Sequence, residues 1–232
     1  MMNKHSERTT RLALSAIFCA LAFLTALLPT PKVSGFLSFD VKDTVIALAA
    51  LLLGPSVSVA LSFAVPILEM ITVGSTGIWG LLMDIISSLA FSFTASIIYK
   101  YRKSLVGALV SLVAATAMQV AVMMLANIVI TPLYTGAPRS AVIAMLIPIL
   151  LPFNAVKSFF NASLVMLLYK PISEALRRAH LLPSSHRRGG SVSFSSPYRF
   201  GLKSILVLSI SFLAVVGMLL VLFLVLDASY GG

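Results

Sequence analysis

Asn154, Lys157 and Asn161 lie in an apolar stretch, 148–169, that is long enough to cross a bilayer. Separated by three and then four residues, they share one face of an α-helix, while Phe153, Val156 and Phe160 point elsewhere. A charge inside such a helix costs roughly 2.5 to 3.5 kcal/mol even on insertion scales, so the ammonium requires a polar partner. One face therefore offers two amides and an ammonium. That set can hold a polar small molecule, aromatic or rich in carbonyls, within the membrane.

The other polar positions are few. Asn127 stands near the end of an apolar run and reads either as an interhelical amide bond or as a ligand contact. Asp84, with Ser87 and Ser88 on its own helical face, can face the same cavity, pair with Lys157 or serve as a structural contact. Asp40 and Asp43 belong to the loop 29–43, whose alternation through Phe36, Leu37, Ser38 and Phe39 suits a segment folded over a cavity mouth. Asp43 is expected to be the N-cap of the helix that follows. Gly74-Ser75-Thr76-Gly77 lacks the lysine and the spacing of a phosphate-binding loop, and no nucleophile is paired with a base. His5, His180 and His186 lie outside the apolar segments without metal-ligand spacing, and Cys19 has no cysteine partner. An enzyme is not expected, nor is a resident cofactor or metal.

The elements that must position these residues are membrane helices. With 59% hydrophobic and 10% charged residues and a mean hydropathy of +1.04, the chain has more apolar surface than a soluble core could bury. Apolar segments run over 12–28, 44–53, 56–71, 78–99, 105–130, 148–169 and 204–226. The second and third are short and divided by Gly54-Pro55, a pair that breaks a helix and reverses direction. The fold class is an all-α integral membrane protein: six helices plus an additional C-terminal one.

Charge sets the topology. With a cytoplasmic N-terminus and seven crossings, thirteen of the 17 basic residues fall inside; Lys32, Lys42 and Arg139 fall outside, and Lys157 is in the membrane. Merging the second and third helices would put Lys100 and Lys103 opposite the N-terminal cluster and spoil this bias. The same bias accounts for the net charge of +10 through lipid headgroups, without a nucleic-acid partner. Lys4, Arg8 and Arg11 before an apolar run also suit a signal peptide, but the run continues well past Ala20-Leu21-Ala22. The chain accordingly divides into an N-terminus 1–11, a six-helix domain 12–176, a basic, Ser- and Gly-rich linker 177–203, a further helix 204–226 and a tail 227–232.

The order of these features resembles an S component of the energy-coupling-factor vitamin transporters, most closely the riboflavin-specific type. The matching stretches are Gly35-Phe36-Leu37-Ser38-Phe39-Asp40, Leu53-Gly54-Pro55, Gly74-Ser75-Thr76-Gly77, Ala126-Asn127 and Pro152-Phe153-Asn154-Ala155-Val156-Lys157, with Tyr169-Lys170 closing the helix. The resemblance implies a six-helix subunit of the bacterial cytoplasmic membrane that captures riboflavin from outside and docks on a transmembrane coupling subunit driven by two ATPases. It implies Asn127, Asn154 and Lys157 as ligand contacts; Asp84 is a candidate of this chain's own, an acid where a neutral amide suits a flavin better, and it signals a different polar ligand or a salt bridge with Lys157. Riboflavin's fused ring needs apolar walls, for which Phe36, Leu37, Phe39 and Trp79 are candidates. The family also uses small residues at four-residue spacing on the first helix for docking, and Ala16 and Ala20 supply them. The usual fold ends after helix six, whereas this chain adds a linker and a seventh helix. Alternatives within reach of the same residues are an S component for another vitamin or precursor, an autonomous carrier with Glu69, Asp84 and Lys157 as a proton relay, and a membrane scaffold that transports nothing.

Overall fold

A computed structural model describes residues 4–28, 32–33, 37–74 and 77–182. The expected seventh helix, 204–226, and the linker from 183 onward lie outside the described residues. The first helix, α1 (Lys4–Ala26), begins in the polar N-terminal segment, earlier than its apolar run. The loop after it carries a short antiparallel ladder, β1 (Lys32–Val33) with β2 (Leu37–Ser38), pairing Lys32 with Ser38 and Val33 with Leu37. Then come α2 (Lys42–Leu53) and α3 (Pro55–Thr72).

Gly54 separates these two helices at φ +102°, a conformation that favours glycine, and Pro55 starts α3 where its missing N–H is no loss. The pair is a true break, as the sequence predicts. Arg11 of α1 fastens it: Nη2 donates to the Leu53 carbonyl at 2.8 Å and to Ser56 Oγ at 2.7 Å. A carbonyl left without a partner at the end of α2 is thereby satisfied.

The fourth rod is α4 (Gly77–Ser88), a π-helical turn (Leu89–Phe93) and α5 (Thr94–Tyr101). Next is α6 (Leu105–Thr135), opened by Ser104, whose hydroxyl accepts from Gly107 N–H at 2.9 Å, and closed by Gly136 at φ +70°. The last rod joins α7 (Arg139–Met145) through a second π turn (Leu146–Leu150) to α8 (Leu151–Arg178). It starts well before the expected residue 148. Pro148 and Pro152 donate no N–H, and the helical ladder is respaced around them without ending. Arg177 and Arg178, expected in the linker, form the last turn of α8.

Among the described residues these make six rods, five of which have the length and composition of a membrane span. The exception is α2. At 12 residues it is about 18 Å long, and its buried residues include Lys42, Asp43, Thr44 and most positions from Ile46 to Leu51. It is therefore the centre of the bundle, packed by α1, α3, α5 and α8. That explains why it carries no single apolar face.

Two apolar clusters result. The larger gathers Phe18, Ile46, Leu48, Leu61, Phe91 and Leu112 with their neighbours around α2. The smaller joins Leu37 and Phe39 of the first loop to Val142, Leu150 and Phe153 of the last rod. The loop thus packs onto α7 and α8 through Leu37 and Phe39.

Candidate ligand-binding site

The last rod supplies the polar face. Asn154, Lys157 and Asn161 are all buried, at 4%, 8% and 0% exposure, and Ser158 joins them. Lys157 Nζ lies 2.7 Å from Asp40 Oδ2, so the partner that the membrane demands of this ammonium comes from the first loop. Directly beside Asp40, Phe39 stacks against the last rod. Its ring lies 6.4 Å from that of Phe153, edge to face, and 5.1 Å from that of Phe160. Loop and helix are thus joined by one ion pair and one aromatic cluster.

One turn below Lys157, Asn161 donates from Nδ2 to the Lys157 carbonyl at 3.0 Å and to the Asp40 carbonyl at 3.4 Å. Its Oδ1 accepts from Thr44 N–H at 3.1 Å. This bond from a neighbouring helix takes the role expected of Asp43. The N-cap position is Val41, with no side-chain cap, because α2 begins at Lys42. Asp43 instead turns inward and is fully buried, accepting from Ser88 Oγ at 2.5 Å, Ser87 Oγ at 3.3 Å and Gln119 Nε2 at 3.1 Å. Gln119 also accepts from Ser158 Oγ at 2.7 Å, so α2, α4, α6 and α8 meet in one polar layer. A hydroxyl ladder extends it: Ser92 donates to the Ser88 carbonyl at 2.6 Å and lies 2.7 Å from Ser58 Oγ.

Lys42, which the sequence assigns to the outer side of the membrane, is 1% exposed within the fold, with Nζ 2.5 Å from Glu69 and 2.9 Å from Asp84. The possible Asp84–Lys157 ion pair is therefore not formed. As the first residue of α2, Lys42 enters between α3 and α4 and takes Asp84, while Asp40 takes Lys157. Nor does the Glu69, Asp84 and Lys157 relay form one chain of contacts; Glu69 and Asp84 meet on Lys42.

Asn127 is buried on α6 but makes no interhelical amide bond. Its Nδ2 donates to the Met123 carbonyl at 2.7 Å and its Oδ1 accepts from Thr131 Oγ1 at 2.8 Å, both within its own helix. Asn154 likewise donates back to the Leu150 carbonyl at 2.8 Å. Leu37 and Phe39 are buried, Trp79 is half-buried on the first turn of α4, and Phe36 lies outside the described residues. Ala16 and Ala20 are exposed on α1, opposite the Leu14, Phe18 and Ala22 face that enters the core.

Sequence reasoning missed three contributors: Lys42, Asp40 as the counter-ion of Lys157, and Gln119. The last does carry a signal, since the chain's one glutamine sits inside an apolar run where an amide needs a partner. The charged and hydrogen-bonded layer, tied to the first loop through Asp40, defines a helical membrane protein with a polar centre.

Comparison with known proteins places it. The family model described as ECF transporter, substrate-specific component, matches residues 10–169, and the chain belongs to that family. It is 28% identical over 192 residues to the Riboflavin transporter FmnP of Bacillus subtilis (strain 168), covering 75% of this chain and 99% of that protein. Its fold matches a structure described as the S component of a bacterial ECF transporter, with a TM-score of 0.64 at 22% identity, covering 74% of this chain and 99% of that one. The protein is a membrane transport component.

Proposed function

We propose that this chain is the substrate-capture subunit for riboflavin uptake across the bacterial cytoplasmic membrane, working with a transmembrane coupling subunit and two ATPase subunits. The observation that carries the reading is the Lys157–Asp40 ion pair, which ties the first loop to the polar face of α8 beneath Phe39. A ligand held there meets Asn154, Lys157 and Asn127 on its polar edge and Leu37, Phe39 and Trp79 along its ring, with Asp84 as a further polar contact; Phe36, outside the described residues, is a candidate from the sequence alone. The similarity to a riboflavin transporter supports the choice of flavin. The concentration of basic residues at one membrane face supports a cytoplasmic N-terminus, and the exposed Ala16 and Ala20 suit close approach of a partner helix. Residues 204–226, outside the described residues, have the length and composition of a further membrane helix.

The absorbance spectrum of the purified protein tests this reading. A co-purified flavin gives a yellow, fluorescent sample, and added riboflavin saturates whatever sites are empty. A colourless protein that does not quench riboflavin fluorescence removes the proposal. A second reading, an autonomous proton-coupled carrier, draws on the two carboxylates that share Lys42. Uptake that survives without the ATPases but stops with a protonophore favours it.

A further inference from the structure

Among the described spans α1 is the least covered. Only 17% of it is buried, against 33% to 39% of the other four. Its inner face, with Leu14, Phe18 and Ala22, enters the core, while Leu21, Leu24 and Leu28 stay exposed. α1 leans on α2 and α3, whereas α8 leans on α2 and α6. Between α1 and α8 lies a groove of about 300 Å³ with α2 as its floor. Leu21, Leu24 and, just past the end of α1, Leu28 form one wall, Leu168 and Ile172 form the other, and Val45 lies at the bottom. The lining carries no charge, and its one hydroxyl, that of Thr25, already donates to the Ala22 carbonyl at 2.7 Å. No residue of the polar layer lines it.

In lipid, apolar side chains gain little by merely leaving acyl chains, so shape decides what fills such a groove. Two walls and a floor give a rigid helix close contact on three sides, and each contact adds a small dispersion gain. The chain carries a segment of that shape. Residues 204–226, outside the described residues, have the length and composition of a further membrane helix, without one charged side chain. Ala214 and Gly217 near its middle are small enough to let a neighbouring helix approach closely.

Direction and reach agree with this occupant. α8 ends in Arg177 and Arg178, and Arg187, Arg188, Arg199 and Lys203 follow before the apolar stretch begins, so the charge bias keeps both ends on one membrane face. The stretch then crosses antiparallel to α8 and parallel to α1, the two walls of the groove. Ile172 is about 9 Å along the helix axis from Arg178, and 179–203 can extend to roughly 80 Å. A tethered segment is also held at an effective concentration that a separate protein partner lacks.

We infer that residues 204–226 form a helix seated in the groove between α1 and α8, over α2, where it completes the cover of α1. The surface lies apart from the polar layer, so the inference holds whichever ligand that layer takes. With the groove filled, the Ala16 and Ala20 side of α1 is left for the approach of a partner helix.

Disulfide cross-linking of the full-length protein in its own membranes tests this. With Cys19→Ser removing the native thiol, Leu24→Cys or Leu168→Cys is combined in turn with a single cysteine at each position from 207 to 220, and copper phenanthroline is added as oxidant. Leu125→Cys, on an exposed position of α6, is the control with the same set. A link within one chain is read as full-length size retained on a non-reducing gel after cleavage at a protease site inserted between Gly189 and Gly190. The expected result is such links from both Leu24→Cys and Leu168→Cys, recurring every three to four positions, and none from Leu125→Cys. Leu21→Cys replaces Leu24→Cys if that variant fails to fold. Links from Leu125→Cys as strong as from the groove positions overturn the inference. Links only between chains overturn it by making a second copy the occupant, and an absence of links from either groove wall overturns it by leaving the groove to lipid.

Discussion

Asn161 on α8 caps the start of α2 by accepting from Thr44, at 3.1 Å from the backbone N–H and 2.5 Å from the side-chain hydroxyl. Because its amide nitrogen also reaches the Asp40 carbonyl, the same side chain fixes the end of the first loop against the helix that carries Lys157. A single residue thus sets the distance between the two halves of the ion pair at the centre of the site.

Asn161→Leu follows from that arrangement. The substitution takes the close acceptor from the buried Thr44 hydroxyl, a loss of about 1 to 3 kcal/mol, while the Thr44 N–H keeps the Val41 carbonyl at 3.1 Å, and it frees Asp40 from its register with Lys157. Thermal unfolding in detergent should shift downward, and riboflavin affinity should fall at least tenfold. Wild-type affinity in this variant would show that the loop does not depend on this cap.

Lys157→Met alone leaves Asp40 as a buried carboxylate without its partner, a loss of about 3 to 5 kcal/mol. On insertion energy alone the same substitution is harmless to folding, since an apolar residue inserts at least as well as a lysine; the Asp40 pairing reverses that expectation. The double variant Lys157→Met with Asp40→Leu removes both charges and should recover most of the unfolding temperature without recovering riboflavin binding. A stable double variant that binds as tightly as the unaltered protein would place the ligand elsewhere.

What the sequence made legible was periodicity and cost. The 154, 157 and 161 face was readable because an intramembrane ammonium and two amides at helical spacing must share one polar side of the helix, and Gly54-Pro55 was readable because so few residues adopt φ +102°. The partners were not readable. Lys42 and Asp43 look like loop residues because α2 is short and bounded by charge, and only the side chains that α3, α4 and α6 bring to them in three dimensions hold them inward. Asp40 and Lys157 are 117 positions apart, and no local pattern links them. Opposite charges in an apolar chain demand partners, but spacing along the sequence names a partner only within one helix.

Ala16→Leu combined with Ala20→Leu should block assembly with a coupling subunit while leaving riboflavin affinity within twofold. Both positions are exposed on the side of α1 facing away from the core, so added bulk disturbs approach from outside and not packing within. Co-purification of the complete complex at wild-type yield would reject this docking surface.

Deleting residues 191–232 should preserve riboflavin binding. Every residue proposed to touch the ligand precedes Lys170, and the described residues supply partners for the polar layer from within the bundle: Asp43 is met from α4 and α6, Lys42 from α3 and α4, and Lys157 from the first loop. The removed segment contains a 23-residue stretch, 204–226, without one charged side chain after Lys203, and so offers nothing to replace a contact in that layer. The family match also ends at residue 169, ahead of this segment. Titration of the truncated, monodisperse protein measures the outcome. An affinity within threefold of the full-length protein is expected, and a loss beyond about tenfold, near 1.4 kcal/mol, would make the C-terminal segment part of the binding unit.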